Sequence, residues 1–91
     1  MALIFEWDIN KAKINLIKHG VSFEEASTLF ADPRSITIDD PMHSVTEKRS
    51  ITIGLSIKQN LLVIVHTDRI GKIRIISARL ASRKEKKQYA I

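Results

Sequence analysis

Histidine, carboxylate and arginine side chains are grouped at three places in this sequence, and together they have the chemistry needed to break an RNA phosphodiester bond. Without a metal, that reaction needs a base for the 2′-hydroxyl proton, an acid for the leaving 5′-oxygen, and cations around phosphorus. The first place is Lys18-His19-Gly20, where a helix is predicted to end. The helix dipole there favours protonated imidazole, which suits a general acid, although a histidine that only caps the helix fits equally well.

The second place is the segment from His43 to Arg49, where a polar loop is predicted to enter a strand. Glu47 and Arg49 are two residues apart, so on a strand both side chains project from one face. A carboxylate beside a guanidinium could serve as base and phosphate clamp, or the two could form a structural ion pair. The spacing alone leaves both interpretations open.

The third place is the last predicted strand and the turn after it. Strict alternation predicts that Arg74 shares a face with Ala78, and that Arg79 shares the opposite face with Ile75 and Ser77. A forked, permanently charged guanidinium at the strand end makes Arg79 a good phosphate anchor. Arg83 follows in the first turn of a helix, where the helix dipole disfavours a cation. We therefore expect a role other than helix stability to account for an arginine at this position.

Two further ring side chains permit structural as well as functional interpretations. His66 ends an apolar central strand and is interpreted as a partly buried, hydrogen-bonded histidine. Tyr89 could stack on a base or pack the last helix onto the sheet. The three histidines lack the spacing of metal ligands, so no metal site and no cofactor are predicted.

Local signals predict the elements that position these residues. The order is β-α-α-β-β-β-β-α, with strands over 2–7, 34–39, 47–57, 61–65 and 73–79. Asp8 and Gly20 bound the first helix, Ser22 and Glu25 form a capping box for the second, and Ser82 and Glu85 form another that opens the last. The isoleucines of 47–57 are expected to face inward. The predicted fold is α+β: an N-terminal strand and a helical hairpin packed on a mainly antiparallel sheet, with a short C-terminal helix.

Size and composition limit the class of protein. The 91 residues fit one domain, residues 1–91, and 44% of them are apolar, enough for one core. The absence of cysteine excludes disulfides, thiolate nucleophiles and cysteine zinc sites. No segment resembles a signal peptide or a membrane span, so we expect a cytoplasmic protein with no membrane partner.

Positive charge is concentrated near the C-terminus. The net charge is +5, yet residues 69–91 hold eight Lys and Arg against the single acidic Glu85. Such segregation is typical of a polyanion-binding face. We expect Arg69, Arg74, Arg79 and Arg83 to form a phosphate-binding rim, with the lysines adding general attraction. A solvated helix end, an acidic membrane surface or an acidic protein partner would fit the same charge.

Motifs in order over nearly the whole chain resemble those of the BrnT family of type II toxins, which are ribonucleases with a RelE-like fold. The matching stretches are Phe5-Glu-Trp-Asp8 with Lys11 and Asn15, Lys18 to Ala26, Phe30, Asp32-Pro33, His43-Ser44, Glu47, Arg49, Ile53-Gly54, Thr67, Arg69, Arg74 to Arg79, Ala81, Arg83, Glu85 and Tyr89. The chain departs from the family pattern at its end, where the sequence stops two residues after Tyr89.

The resemblance implies an endoribonuclease toxin that inhibits translation until its antitoxin neutralises it. The implied antitoxin is a ribbon-helix-helix, BrnA-like protein, and the joint complex would bind operator DNA. The implied site contains Lys18, His19, His43, Glu47, Arg49, Arg69, Arg79 and Arg83. Within it we assign Glu47 or His43 as base, His19 as acid, and Arg49 with Arg79 as phosphate clamps. Arg74 and Tyr89 are predicted to contact RNA.

Two other functions are compatible with the sequence. The first is a non-catalytic basic subunit that binds nucleic acid and antitoxin within a DNA-binding repressor complex. It explains the charge distribution but not Glu47 beside Arg49. The second is a structural interaction domain whose basic end docks on an acidic antitoxin segment.

Overall fold

A computed structural model describes residues 3–40 and 48–90 of the chain. In chain order the elements are β1 (Phe5–Glu6), α1 (Ile9–His19), α2 (Phe23–Thr28), a 3₁₀ turn (Leu29–Ala31), β2 (Ile36–Asp39), β3 (Ser50–Leu55), β4 (Leu61–Arg69), β5 (Lys72–Leu80) and α3 (Arg83–Tyr89). The sheet has the order β1-β5-β4-β3-β2, parallel between β1 and β5 and antiparallel elsewhere. The predicted element order and the mainly antiparallel sheet are confirmed. None of the helices in the described ranges is long and apolar enough to cross a membrane.

The core lies between the helical hairpin and one face of the sheet. Phe23, Ala26 and Leu29 of the α2 segment are fully buried, as the helical spacing predicts. Their partners across the interface are Val21 and the sheet residues Leu62, Ile64, Ile75 and Ala78. Because the helical hairpin covers this face of the sheet, the opposite face is the one available to α3 and to ligands.

Helix α1 has the predicted ends, but among its apolar residues only Ala12 packs against this core. Asp8 accepts hydrogen bonds from the first turn, and Gly20 ends the helix with a φ of 70°, which glycine adopts without strain. Ile14, Leu16 and Ile17 remain exposed. Apolar packing therefore contributes little to the attachment of α1.

A buried amide attaches α1 to the sheet instead. The Asn15 amide nitrogen donates to the carbonyl oxygens of Ala78 (2.8 Å) and Val21 (3.0 Å). Its side-chain oxygen accepts the Ala78 N–H (3.1 Å). Because β1 pairs with β5 only at residues 73 and 74, Asn15 takes the place of a missing strand at the edge of β5.

Strand β3 buries the opposite face from the one predicted. Thr52 and Gly54 face the helices, whereas Ile51 and Ile53 are only partly buried and face the other side. The Thr52 hydroxyl is satisfied by Thr37 and His66, both at 2.7 Å. A Cβ on Gly54 would lie 3.1 Å from the Cβ of Ser35 and 3.4 Å from Leu29 Cδ1, so close packing against residues 29–35 favours glycine. The prediction that the isoleucines face inward was therefore wrong.

A bulge in β5 also changes the predicted faces of its arginines. Between Ser77, which pairs with Val65, and Ile75, which pairs with His66, one residue of β5 has no partner. Arg79 pairs with Val63 and Arg74 pairs with Thr67. Val63 and Thr67 lie on the same face of β4. The two arginines therefore lie on the same face, and Ile75 and Ala78 lie together in the core. The alternation prediction for β5 was wrong because it assumed an uninterrupted strand.

Candidate active site

The face of the sheet opposite the helical hairpin, called here the open face, is covered at one end by α3. Beside α3 is a groove of about 360 Å³ with an apolar floor. It is lined by Ile36, Ile38, Ile51, Ile53 and Val63 of the sheet and by Glu85 and Gln88 of α3. The open face therefore combines exposed apolar surface with the charged ends of β5 and α3.

Arg79 lies on this face, and α3 holds it through a two-point ion pair. Its Nη1 donates to Glu85 Oε1 at 2.7 Å, and its Nη2 donates to Oε2 at 2.8 Å. Nη1 is also 3.3 Å from the carbonyl oxygen of Leu80, to which it donates. Glu85 belongs to the capping box predicted at Ser82, since its Oε1 accepts the Ser82 N–H at 2.8 Å.

The pair fixes the charge of both partners. The hydrogen bonds from Arg79 lower the pKa of Glu85 to about 2, although burial opposes this shift. In the same way the hydrogen bond to Glu85 raises the pKa of Arg79. Glu85 is thus an anion at neutral pH, and the local charge of the pair is zero.

Arg74 lies on the same face, at the other end of β5. It donates to Glu6 of β1 at 2.7 Å, and both side chains are about three-quarters buried, with 26% and 31% exposed. Its partner on β4 is four residues from that of Arg79, which places the two arginines roughly 13 Å apart. Glu6 holds one guanidinium and Glu85 holds the other, so the two arginines belong to separate ion pairs.

The end of α1 brings Lys18 and His19 to the edge of the open face near β5. Both side chains are exposed, and they share a shallow pocket of about 190 Å³ with Asn15, Ile76 and Ser77. Ser77 precedes Arg79 by two residues, roughly 7 Å along the strand. The hydrogen bonds of Asn15 therefore determine where His19 lies relative to Arg79.

The other predicted site residues are more widely spread. Arg49 immediately precedes β3 and accepts the Asp40 N–H at its carbonyl oxygen (2.9 Å). Arg69 ends β4 opposite Lys72, and Arg83 is exposed in the first turn of α3. The remaining two residues, His43 and Glu47, lie outside the described residues, so the predicted base stays a prediction.

Tyr89 anchors α3 to the rest of the chain. Its hydroxyl donates to Asp32 Oδ2 at 2.5 Å, and the same oxygen accepts the Leu55 N–H at 2.8 Å. The hydrogen bond to Asp32 raises the pKa of Tyr89. The hydrogen bond to Asp32 thus supports the interpretation that Tyr89 packs the last helix onto the rest of the chain. Contact of Tyr89 with RNA stays a prediction.

His66 has the structural role inferred from the sequence. It is 6% exposed, and its Nε2 is 2.7 Å from the Thr52 hydroxyl. Burial lowers its pKa, and its ring meets that of Phe30 edge-on at 5.0 Å. His66 faces the helical layer and not the open face.

Sequence reasoning omitted three residues from the site that the geometry includes. Glu85 was recognised only as a helix-capping residue, Asn15 only as part of the family pattern, and Ser77 only as a face-sharing strand residue. The signals available were the Ser82-x-x-Glu85 spacing and one amide, Asn15, between the apolar residues Ile14 and Leu16. Neither signal shows which distant residue the side chain contacts.

Comparisons with known proteins agree with this fold. The model of the family described as the ribonuclease toxin BrnT of type II toxin–antitoxin systems matches residues 7–85. The crystal structure of the Brucella abortus ribonuclease toxin BrnT is similar, with a TM-score of 0.66 and 20% identity. The match covers 90% of this chain and 100% of that one, which confirms the predicted fold. Comparison with curated proteins gave no match. Since the family model spans most of the sequence, this chain belongs to the BrnT family of ribonuclease toxins of type II toxin–antitoxin systems.

Proposed function

We propose that this protein is a metal-independent endoribonuclease toxin that cuts RNA and inhibits translation until an antitoxin neutralises it. The observation that carries the proposal is the position of Arg79. A guanidinium is fixed on the open face, and the pocket that contains His19 and Lys18 lies beside the same strand. A cation that can bind phosphate, Arg79 of β5, and a general acid, His19 of α1, thus lie near the same edge of the sheet.

The chemistry follows from these groups. The base, Glu47 or His43, takes the proton of the 2′-hydroxyl, whose oxygen then forms a bond to phosphorus. The bond to the 5′-oxygen breaks, and His19 gives that oxygen a proton. Arg79 and Arg49 stabilise the charge that accumulates on the phosphoryl oxygens. The products are a 2′,3′-cyclic phosphate and a 5′-hydroxyl.

Cleavage of RNA by purified protein in EDTA tests the proposal. We expect a fixed fragment pattern with cyclic phosphate ends, and a loss of roughly 100-fold or more in rate for Arg79→Ala. Lys58→Ala, which removes a cation from the β3–β4 turn, is the control and should cut at the wild-type rate. Binding without cleavage by the wild-type protein would favour the alternative, a non-catalytic subunit of a repressor complex.

We further propose that an acidic segment of a ribbon-helix-helix, BrnA-like antitoxin covers the open face. The groove beside α3 offers apolar surface, including Ile38 with 58% exposure, next to the basic residues of 69–91. Acidic and apolar side chains together would complement it. Operator DNA would then be bound by the toxin–antitoxin complex, in the cytoplasm.

The groove can be tested by substitution of one exposed residue. Ile38→Asp should abolish co-purification with the ribbon-helix-helix protein encoded beside the toxin gene, because a charge would enter an apolar contact. Ile57→Asp is the matched control, since Ile57 is 76% exposed in the β3–β4 turn and away from the groove. Equal retention of antitoxin by both variants would place its docking site elsewhere.

A further inference from the structure

The pairing of Arg79 with Glu85 leaves one complete edge of the guanidinium unused. Of its five N–H donors, two bind the Glu85 carboxylate and a third is directed at the Leu80 carbonyl oxygen. The two others are the Nε–H and the second Nη2–H, which point the same way. Within residues 3–40 and 48–90 these two donors have no hydrogen-bond acceptor. That edge matches two oxygens of one phosphate.

Glu85 is itself held from a second direction. Its Oε1 accepts both Arg79 Nη1 and the backbone N–H of Ser82, at 2.7 Å and 2.8 Å. The Ser82 hydroxyl in turn accepts the Glu85 N–H at 3.2 Å. The guanidinium is thus fixed to the first turn of α3, and its orientation is set before any ligand arrives.

Stability alone gives a weak reason for this arrangement. The two side chains are 44% and 25% exposed, and ion pairs at such positions contribute little because water screens them. A carboxylate beside a phosphate-binding group also repels RNA. A free arginine, however, loses side-chain conformational entropy when it is immobilised. Immobilisation in advance removes that cost from the reaction step.

We propose that Glu85 is a positioning residue for Arg79, which it holds so that the free Nε/Nη2 edge receives the scissile phosphate of RNA. This inference rests on the proposed ribonuclease function. On this inference, Glu85 weakens the binding of RNA but speeds the cleavage step. Glu85→Gln removes a negative charge, so RNA should bind equally or more tightly, by up to several-fold. The same change loosens the guanidinium, so the cleavage step should slow by about 10-fold or more.

Two variants separate positioning from a role in the helix start. Glu85→Gln keeps a side chain suited to the capping box, while the charge-assisted contact with Arg79 is lost. Ser82→Ala removes the hydroxyl cap and leaves the Arg79–Glu85 pair in place. Single-turnover cleavage at saturating RNA gives the rate, and anisotropy with a 2′-O-methyl oligonucleotide gives the affinity. Slower cleavage with undiminished affinity in Glu85→Gln, and an unchanged rate in Ser82→Ala, supports positioning.

Three results overturn the inference. A Glu85→Gln rate equal to or above wild type would make the carboxylate a competitor of RNA. Equal slowing in both variants would make its role that of a helix cap. If the wild-type protein cuts no RNA, the proposed function fails, and side-chain NMR of Arg79 decides about the contact. Addition of the oligonucleotide should shift the Nε–H signal of Arg79, while the signals of the Nη protons bonded to Glu85 persist. The absence of an Nε–H shift would refute the contact between this edge of Arg79 and phosphate.

Discussion

The hydrogen bonds of Asn15 give a prediction whose size can be worked out from the structure. Asn15→Ala removes three hydrogen bonds at a site that is 6% exposed and leaves the Ala78 N–H buried without its acceptor. At about 1 kcal/mol for each bond, the free energy of unfolding should fall by about 3 kcal/mol. For a domain of this size that corresponds to a decrease in Tm of roughly 12–24 °C.

Urea denaturation followed by circular dichroism measures this loss as a lower midpoint with an unchanged m value. Asn10→Ala is the matched control on the same helix, because Asn10 is exposed and its side chain makes no hydrogen bond within the described ranges. It reports the gain in helix propensity, about 0.5 kcal/mol, that accompanies any such replacement. Asn15→Asp should be at least as harmful as Asn15→Ala, because it loses both donations and buries a charge. A loss below about 1 kcal/mol for Asn15→Ala would refute the claim that this amide holds α1 to the sheet.

Three further predictions concern the hairpin, the core and the open face. Ile70→Asn should stabilise the protein by about 0.5–1 kcal/mol in thermal melts, because Ile70 is fully exposed with a φ of 44° before Gly71, a turn geometry that asparagine favours; no rise in Tm would count against it. Burial lowers the pKa of His66, so the folded state binds its proton less readily than the unfolded state does. Stability should therefore fall as the pH drops below about 6.5, and His66→Gln should flatten urea midpoints between about pH 7 and pH 5. Arg74→Gln leaves the Glu6 carboxylate without its cation on the open face, so RNA affinity should fall, and the slope of log affinity against log salt should fall by about one, with little change in cleavage rate; an unchanged slope would remove Arg74 from the RNA-binding surface.

Local signals in the sequence were sufficient to predict the elements of this fold. Asp8 and Ser22 accept the hydrogen bonds expected of helix caps, and Gly20 has the left-handed conformation expected after a helix. These contacts join residues a few positions apart, so their spacing is visible in the sequence. The capping box at Ser82 was predicted for the same reason, and both of its hydrogen bonds are present.

The arrangement of the site depends on contacts that no local pattern contains. The one-residue bulge in β5 moves Arg74 onto the face of Arg79, and hydropathy alternation cannot locate such a bulge. Glu25 shows the same limit in the helices. Its spacing from Ser22 predicted a reciprocal capping box, yet its carboxylate accepts hydrogen bonds from Ser56 and Asn60 instead. In each case a partner on another segment of the chain decides the geometry.

The attraction of the basic C-terminal region for RNA is consequently weaker than its count of Lys and Arg residues suggests. Arg74 and Arg79 share the open face, but each is neutralised by a carboxylate from another element, Glu6 or Glu85. These arginines add little long-range attraction for a polyanion, because each pair has no net charge. Long-range attraction in this region then comes from exposed cations such as Lys72, Arg83 and the lysines of α3, while a paired guanidinium can still offer directed N–H donors at short range. Affinity and cleavage are therefore expected to depend on different cations, and substitutions should affect them separately.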